Sequence, residues 1–289
     1  MASLEKLIAR AEAVLARLEK VLPQPVEQVN WDTPAIAFGW RKRLNQAYLQ
    51  PIHQTAPIHL DDLLYINRQK TLLEQNTRQF LLGLPANNAL LTGARGTGKS
   101  SLIRACLHKF SSEGLRLIEV DKNDLGDLFD ISEWIISRPE KFILYCDDLS
   151  FDEGDSSYKA LKVALDGSVA AQPDNMLIYA TSNRRYLMPE KISDNKTYTR
   201  GDDGELHPGE TVEEKISFSD RFGLWLSFYS FSQDEYLEIA AHWLRYFGCD
   251  TKEITDAKQE ALQWAMHRGS RSGRIALHFA RDYAGRMKS

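Results

Sequence analysis

Residues 93–100 read Gly-Ala-Arg-Gly-Thr-Gly-Lys-Ser, and this is where chemistry enters the chain. The pattern is G-x-x-x-x-G-K-[ST], a loop that cradles a phosphate chain. Gly93, Gly96 and Gly98 let successive backbone N–H groups curl inward toward an anion. Lys99 adds a compact positive charge for the outer phosphates, and the Ser100 hydroxyl is a hard oxygen suited to Mg2+. Ala94, Arg95, Thr97 and Ser101 complete the wrap. A second segment, Phe142-Ile143-Leu144-Tyr145-Cys146-Asp147-Asp148, is an apolar run ending in two carboxylates. Beside a phosphate loop, such a pair divides the work. Asp147 would hold Mg2+ and Asp148 would orient and polarise an attacking water. A third run, Ile178-Tyr179-Ala180-Thr181-Ser182-Asn183, ends in a polar side chain placed to reach between the last phosphate and that water. Asn183 is the candidate there.

These groups need rigid carriers. Asn88-Ala89-Leu90-Leu91 before the loop is a buried strand, and Ser101–Leu107 after it has helical spacing, so the loop opens onto a helix N-terminus. From there strand and helix alternate: strand 88–92, helix 99–111, strand 115–120, helix 124–137, strand 141–147, helix 157–170, then strands 176–182 and 224–230. Near-continuous apolar strands imply burial on both faces. The expectation is a three-layer α/β domain with a parallel sheet over 59–231. Leu63-Leu64-Tyr65-Ile66 leads into a helix over 69–82 ahead of the first of these strands. After 232 the periodicity is helical only, over 233–247, 252–267 and 272–287, and predicts a small C-terminal lid over 232–289. Residues 1–58 read as an N-terminal helix followed by an extended, irregular stretch. In that helix Leu4, Ile8, Ala11, Leu15, Leu18 and Leu22 form a narrow apolar stripe. It packs on its own domain, or serves self-association or the docking of a partner. The polar segment 193–215 reads as a long loop.

The bulk composition narrows the class. The chain has 289 residues, 43% hydrophobic and 26% charged, with net charge −4. That is ordinary globular composition with no overall pull toward nucleic acid or anionic membrane. Cys106, Cys146 and Cys249 lack metal-ligand spacing and read as reduced core thiols of a cytoplasmic protein. The charged N-terminus is unlike a signal peptide, and no apolar run is long enough to span a bilayer.

Two arginine sites complete the pattern. Arg221, in Ser-Asp-Arg-Phe-Gly before the last strand, is placed to reach a neighbouring subunit's nucleotide. Arg271 and Arg274 open the final helix, where a guanidinium would let the lid sense nucleotide. The order of motifs is phosphate loop, strand with Asp-Asp, strand with Asn, Arg before the last strand, and helical lid with Arg. That order resembles the AAA+ ATPases, across roughly residues 60–289. The resemblance implies that Arg221 is an arginine finger. It also implies that either Arg274, as in the Holliday-junction branch-migration motor, or Arg271, as in protein-unfolding members, is the lid sensor. The Asp-Asp pair is similar to that of bacterial replication initiators and helicase loaders. Three stretches resemble, more closely, a bacterial AAA+ family known only as a domain of unknown function. They are Asn76-Thr-Arg-Gln-Phe-Leu-Leu-Gly-Leu-Pro-Ala-Asn-Asn, Tyr145-Cys-Asp-Asp-Leu-Ser-Phe and Ser219-Asp-Arg-Phe-Gly-Leu-Trp. Two departures stand out. The resemblance implies that Tyr65-Ile66 borders the nucleotide's base, yet Tyr65 occupies a place where AAA+ proteins usually carry Gly, and 193–215 is longer than usual.

The expected function is therefore a homo-oligomeric, Mg2+-dependent ATPase that remodels a macromolecular partner and cycles between ATP and ADP. Two other readings are an ATP-gated assembly module with slow hydrolysis and a helicase-loader-like nucleic-acid factor. Guanine recognition is disfavoured, because Asn195-Lys196-Thr197-Tyr198 lacks the needed Asp. Arg268, Arg271, Arg274, Arg281, Arg286 and Lys288 make a locally basic C-terminus, yet no helix-turn-helix or stacking platform accompanies it. A protein partner is favoured over nucleic acid. For a threading motor, the aromatic candidates are near Phe129 and Tyr158.

Overall fold

The apolar runs become strands of one sheet. The computed structural model describes residues 5, 7–12, 14, 17, 29, 31, 33–43, 46–55, 58–151, 156–166, 173–184, 187, 199–200, 206–207 and 219–288. The strands are β1 (Ala37–Arg43), β2 (Gln46–Ile52), β3 (Ala89–Gly93), β4 (Leu115–Glu119), β5 (Lys141–Cys146), β6 (Met176–Ser182), β7 (Thr199–Arg200), β8 (Leu206–His207) and β9 (Leu224–Phe228). Seven of them form a sheet in the order β2-β1-β4-β5-β6-β3-β9. Every pairing in it is parallel except that of β1 with β2.

Residue parity along the strands sorts two cores. Leu91, Ile143, Tyr145, Leu177 and Tyr179 face one layer. Their immediate neighbours Leu90, Phe142, Leu144, Ile178 and Ala180 face the other. This is the side-chain alternation of a strand buried on both sides. Helices α1 (Asn67–Leu81) and α2 (Lys99–Phe110) cover the first face through Leu73, Phe80, Leu102 and Cys106. Helices α3 (Leu128–Ile135) and α4 (Ser156–Asp166) cover the second through Leu128, Ile131, Tyr158 and Leu161. This is the expected three-layer α/β architecture.

The stretch expected to be irregular, 26–60, instead carries β1 and β2, which lengthen the sheet beyond β4. Trp40 is fully buried, and its indole donates to Asp127 at 2.8 Å. Lys42 pairs with Asp124 and Asp127 from the same strand. The hairpin is thereby pinned to the 3-10 turn Lys122–Asp127, which takes up the first turn of the helix expected over 124–137. Within 193–215, β7 and β8 pair antiparallel, and the rest of that segment lies outside the described residues. The N-terminal helix is described at residues 5, 7–12, 14 and 17, all exposed. Its stripe positions Leu4, Leu15, Leu18 and Leu22 lie outside the described residues.

The C-terminal helices are α5 (Gln233–Tyr246), α6 (Thr251–Asp256), α7 (Lys258–His267) and α8 (Gly273–Met287). The helix expected over 252–267 is two helices meeting at Ala257. α5 opens with a capping box: Glu235 N–H donates to the Ser232 hydroxyl, and the Ser232 N–H donates to the Glu235 carboxylate. Tyr236 and Phe279 are fully buried where α5 packs on α8.

Candidate nucleotide site

The phosphate loop leaves β3 under close constraint. A Cβ on Gly93 would lie 1.9 Å from the Phe228 carbonyl oxygen of β9, so only glycine fits at that crossing. Gly96 has φ 71°, and a Cβ there would meet the Ser272 hydroxyl at 2.7 Å. That contact brings the lid onto the loop, and the Gly273 N–H donates to the Gly96 carbonyl at 2.9 Å. Thr97 braces the loop from inside by donating to the Ala94 carbonyl.

Lys99 is 6% exposed and points into the loop. Its ammonium donates to the Gly93 and Ala94 carbonyls, each at 2.8 Å, and to Asn183 Oδ1 at 3.0 Å. Burial pulls its pKa down to about 8. Asp148 and Asp147 oppose that fall, and Arg274 and Arg95 add to it. Incoming phosphate would supply the missing negative charge.

The register of β5 and β6 places the acids. Tyr145 pairs with Tyr179 and Cys146 with Ala180, so the following positions bring Asp147 alongside Thr181. Asp147 Oδ1 accepts from the Ser100 hydroxyl at 2.7 Å and from the Thr181 hydroxyl at 2.5 Å. Burial alone would raise the Asp147 carboxyl. The Thr181, Tyr145 and Ser100 hydroxyls and the Arg104 charge outweigh it and hold the carboxyl below its usual value. Asp148 has φ 52°, a left-handed conformation uncommon for a non-glycine residue. Its side chain accepts from the Asn183 amide at 2.5 Å. Ser100 and Asp147 thus set two hard oxygens side by side at the loop. This suits Mg2+, which takes one or two protein oxygens and fills its octahedron with phosphate and water.

These groups line one cavity of about 540 Å3, together with Arg95, Gly96, Thr97, Gly98, Ser101, Arg104 and Arg274. Its apolar lining is built from Leu63, Ile66, Phe231, Ile239, Trp243 and Leu277. Ile66 lines the cavity. Tyr65 is not among the lining residues. It is 46% exposed, and its φ of 62° turns the chain so that Leu63 and Leu64 line the cavity instead. Of the two lid arginines, Arg274 lines the cavity and Arg271 does not. Motif reading passes over several lining residues, among them Asp62, Arg104 and Trp243, and also Thr181, hidden in an apolar strand.

Arg221 is elsewhere. It precedes β9, whose first residue Leu224 pairs with Ala89, whereas Phe228 pairs with Gly93 at the loop. It therefore sits at the opposite end of the strands, where its guanidinium donates to Asp166. Much of the basic C-terminus is engaged within the chain. Arg268 stacks over Trp264, Arg286 pairs with Glu260 and Asp282, and Lys288 donates to the Phe247 carbonyl. Tyr158 is buried against Phe151, while Phe129 is 40% exposed. The three cysteines are buried and unbridged. Among the described residues no helix is long and apolar enough to cross a membrane.

Solved structures share this architecture. A mutant of Thermotoga maritima RuvB matches with TM-score 0.53 at 15% identity, covering 81% of this chain and 67% of that one. Another RuvB mutant from the same organism matches with TM-score 0.51 at 16% identity, covering 78% of this chain and 64% of that one. The chain thus spans slightly less than two thirds of this second relative. At these identities the likeness establishes the fold alone, the α/β fold of RuvB. No curated protein matches the chain. The family described as "Protein of unknown function (DUF815)" matches residues 33–287, and the chain belongs to that family.

Proposed function

We propose that this protein is a Mg2+-dependent ATPase that works as a homo-oligomer and couples hydrolysis to remodelling of a macromolecular partner. The observation that carries the reading is the reach of one side chain. Asn183 touches both Lys99, the phosphate-binding cation, and Asp148, the candidate base. A group so placed can report the last phosphate to the residue that aims the water. Backbone N–H groups of Gly93–Ser101 would hold the phosphates, and Leu63, Ile66 and Trp243 would hold the base. Ser100 and Asp147 would hold Mg2+, which supplies charge neutralisation between the outer phosphates. Asp148 would accept the proton of the attacking water. Arg274 would carry nucleotide occupancy to the lid, and Arg221 would complete a neighbouring subunit's site. The division into 1–58, 59–231 and 232–289 belongs to this reading, as does a cytoplasmic location, in keeping with the buried free thiols. A protein partner is favoured, since Arg268, Arg286 and Lys288 are taken up within the lid.

The test is steady-state ATP hydrolysis against protein concentration in excess Mg2+ and ATP. Specific activity should rise with concentration as sites are completed between subunits. Absence of ATP binding would sink the reading. A second reading, an ATP-gated assembly module with slow turnover, draws support from the Asp148–Asn183 bond, which ties the base down before nucleotide arrives. It expects ATP-dependent assembly with turnover flat and near zero.

A further inference from the structure

We infer that Thr181 is a positioning residue that sets both acids of the nucleotide site through one hydroxyl. The inference rests on the ATPase reading above. Thr181 is 1% exposed and lies in β6, two residues after the buried Tyr179 on the same strand face and two before Asn183. Its hydroxyl accepts the Asp148 N–H at 3.0 Å and donates to Asp147 Oδ1 at 2.5 Å. Its own carbonyl accepts the Leu149 N–H at 2.7 Å. Three consecutive residues of the turn after β5 are therefore fastened to this one residue.

The two hydroxyl bonds solve different problems. Asp148 is held at φ 52°, a region in which a non-glycine residue is strained unless its surroundings fix it. The Thr181 oxygen fixes it by taking the Asp148 N–H. That turn points the Asp148 carboxylate at Asn183 rather than along the strand. The Asp147 bond does something else. Oδ1 of Asp147 is shared between Ser100 and Thr181. When Ser100 turns to a cation, Thr181 keeps the carboxylate in place. A hydroxyl is required because the same atom must accept from a backbone amide and donate to a carboxylate. Valine has the same shape and does neither.

Three proteins test this: wild type, Thr181→Val and Thr181→Ser. The first readout needs no ligand. Amide exchange at Asp148, followed by NMR on the ligand-free protein, should be at least about tenfold faster in Thr181→Val and near wild type in Thr181→Ser. The second is the Mg2+ concentration that half-saturates its enhancement of ATP binding. It should rise about tenfold in Thr181→Val while affinity for ATP without Mg2+ holds, since the loop and Lys99 are untouched. The third is turnover, where kcat should fall about 10–100-fold with KM little changed, and serine should restore most of it. Wild-type Asp148 exchange and Mg2+ dependence in Thr181→Val would overturn the inference while leaving the ATPase reading intact. Normal exchange effects in a wild type that binds ATP but never turns it over would uphold the positioning role and overturn the ATPase reading. A uniform loss of both binding and turnover that serine does not rescue would mean a packing role only, and would also overturn the inference.

Discussion

The Asn183 side-chain amide donates to Asp148 Oδ1 at 2.5 Å. The bond depends only on an acceptor oxygen at Asp148, which asparagine would also supply. Asp148→Asn therefore keeps the geometry and removes the base. ATP affinity should stay within about threefold, while turnover falls about 100-fold or more, the range for loss of a general base. Equilibrium binding and single-turnover hydrolysis measured on one preparation separate the two. A variant that hydrolyses at the wild-type rate would exclude Asp148 from the chemistry.

Lys99 gives the site a pH signature. Its pKa in the folded, ligand-free protein is about 8, against a usual 10.5. Between those values the unfolded chain holds the proton more tightly than the native one. The group's unfavourable contribution to stability is thus complete below pH 8 and fades as pH rises toward 10.5. Phosphate reverses the balance by favouring the ammonium. ATP binding should then take up a proton above pH 8, and affinity should fall as pH rises through that value. Calorimetry in two buffers of different ionisation enthalpy reads the uptake. More than about half a proton is expected near pH 8.7 and close to none at pH 7. Equal uptake at both would exclude Lys99 as the linked group.

The lid touches the phosphate loop through backbone, at the Gly273 N–H and the Gly96 carbonyl. Gly96→Ala would drive a methyl into the Ser272 side chain and strain a left-handed residue, so it should loosen the lid and cut ATP affinity about tenfold or more. The two lid arginines should separate cleanly. Arg274→Ala, in the cavity, weakens nucleotide binding or turnover. Arg271→Ala, outside it, leaves both within about twofold, as surface changes usually do. A larger effect from Arg271 than from Arg274 would reverse this assignment.

The parallel core was legible because strands buried on both faces must be apolar throughout, as Leu90-Leu91 and Phe142–Cys146 are. β1 and β2 were not. The short apolar run Ala35–Trp40 gives way at once to Arg41-Lys42-Arg43, and Pro51 sits in an edge strand, so the charged and proline-bearing half masks the hairpin. The break at Ala257 carries no Gly or Pro to announce it. Of the site, the loop, Asp147, Asp148 and Asn183 announce themselves as polar residues ending apolar strands, and they do meet in one cavity. Tyr65 misled because adjacency to Ile66 says nothing of a φ of 62° that turns it outward. Thr181 was hidden because threonine is common in strands. Only the pairing of β5 with β6 shows that it faces Asp147.

Arg221 gives the sharpest test of assembly. It stands at the opposite strand end from its own phosphate loop, across a five-residue strand that spans about 17 Å. Within one chain its guanidinium meets Asp166 rather than the cavity. If it acts on a neighbour, Arg221→Ala keeps ATP binding and loses about 1,000-fold in turnover, as for removal of an arginine finger. Lys99→Ala is inactive for a separate reason, the loss of its own phosphate contact. Mixed in equal amounts, the two inactive variants should then regain activity. Random mixing in a head-to-tail ring pairs an intact Lys99 with a neighbour's intact Arg221 at about a quarter of the interfaces. Recovered turnover near that fraction would place Arg221 in trans. Mixed assemblies that form and stay inactive would show that Arg221 completes no neighbouring site and that its role lies within its own chain.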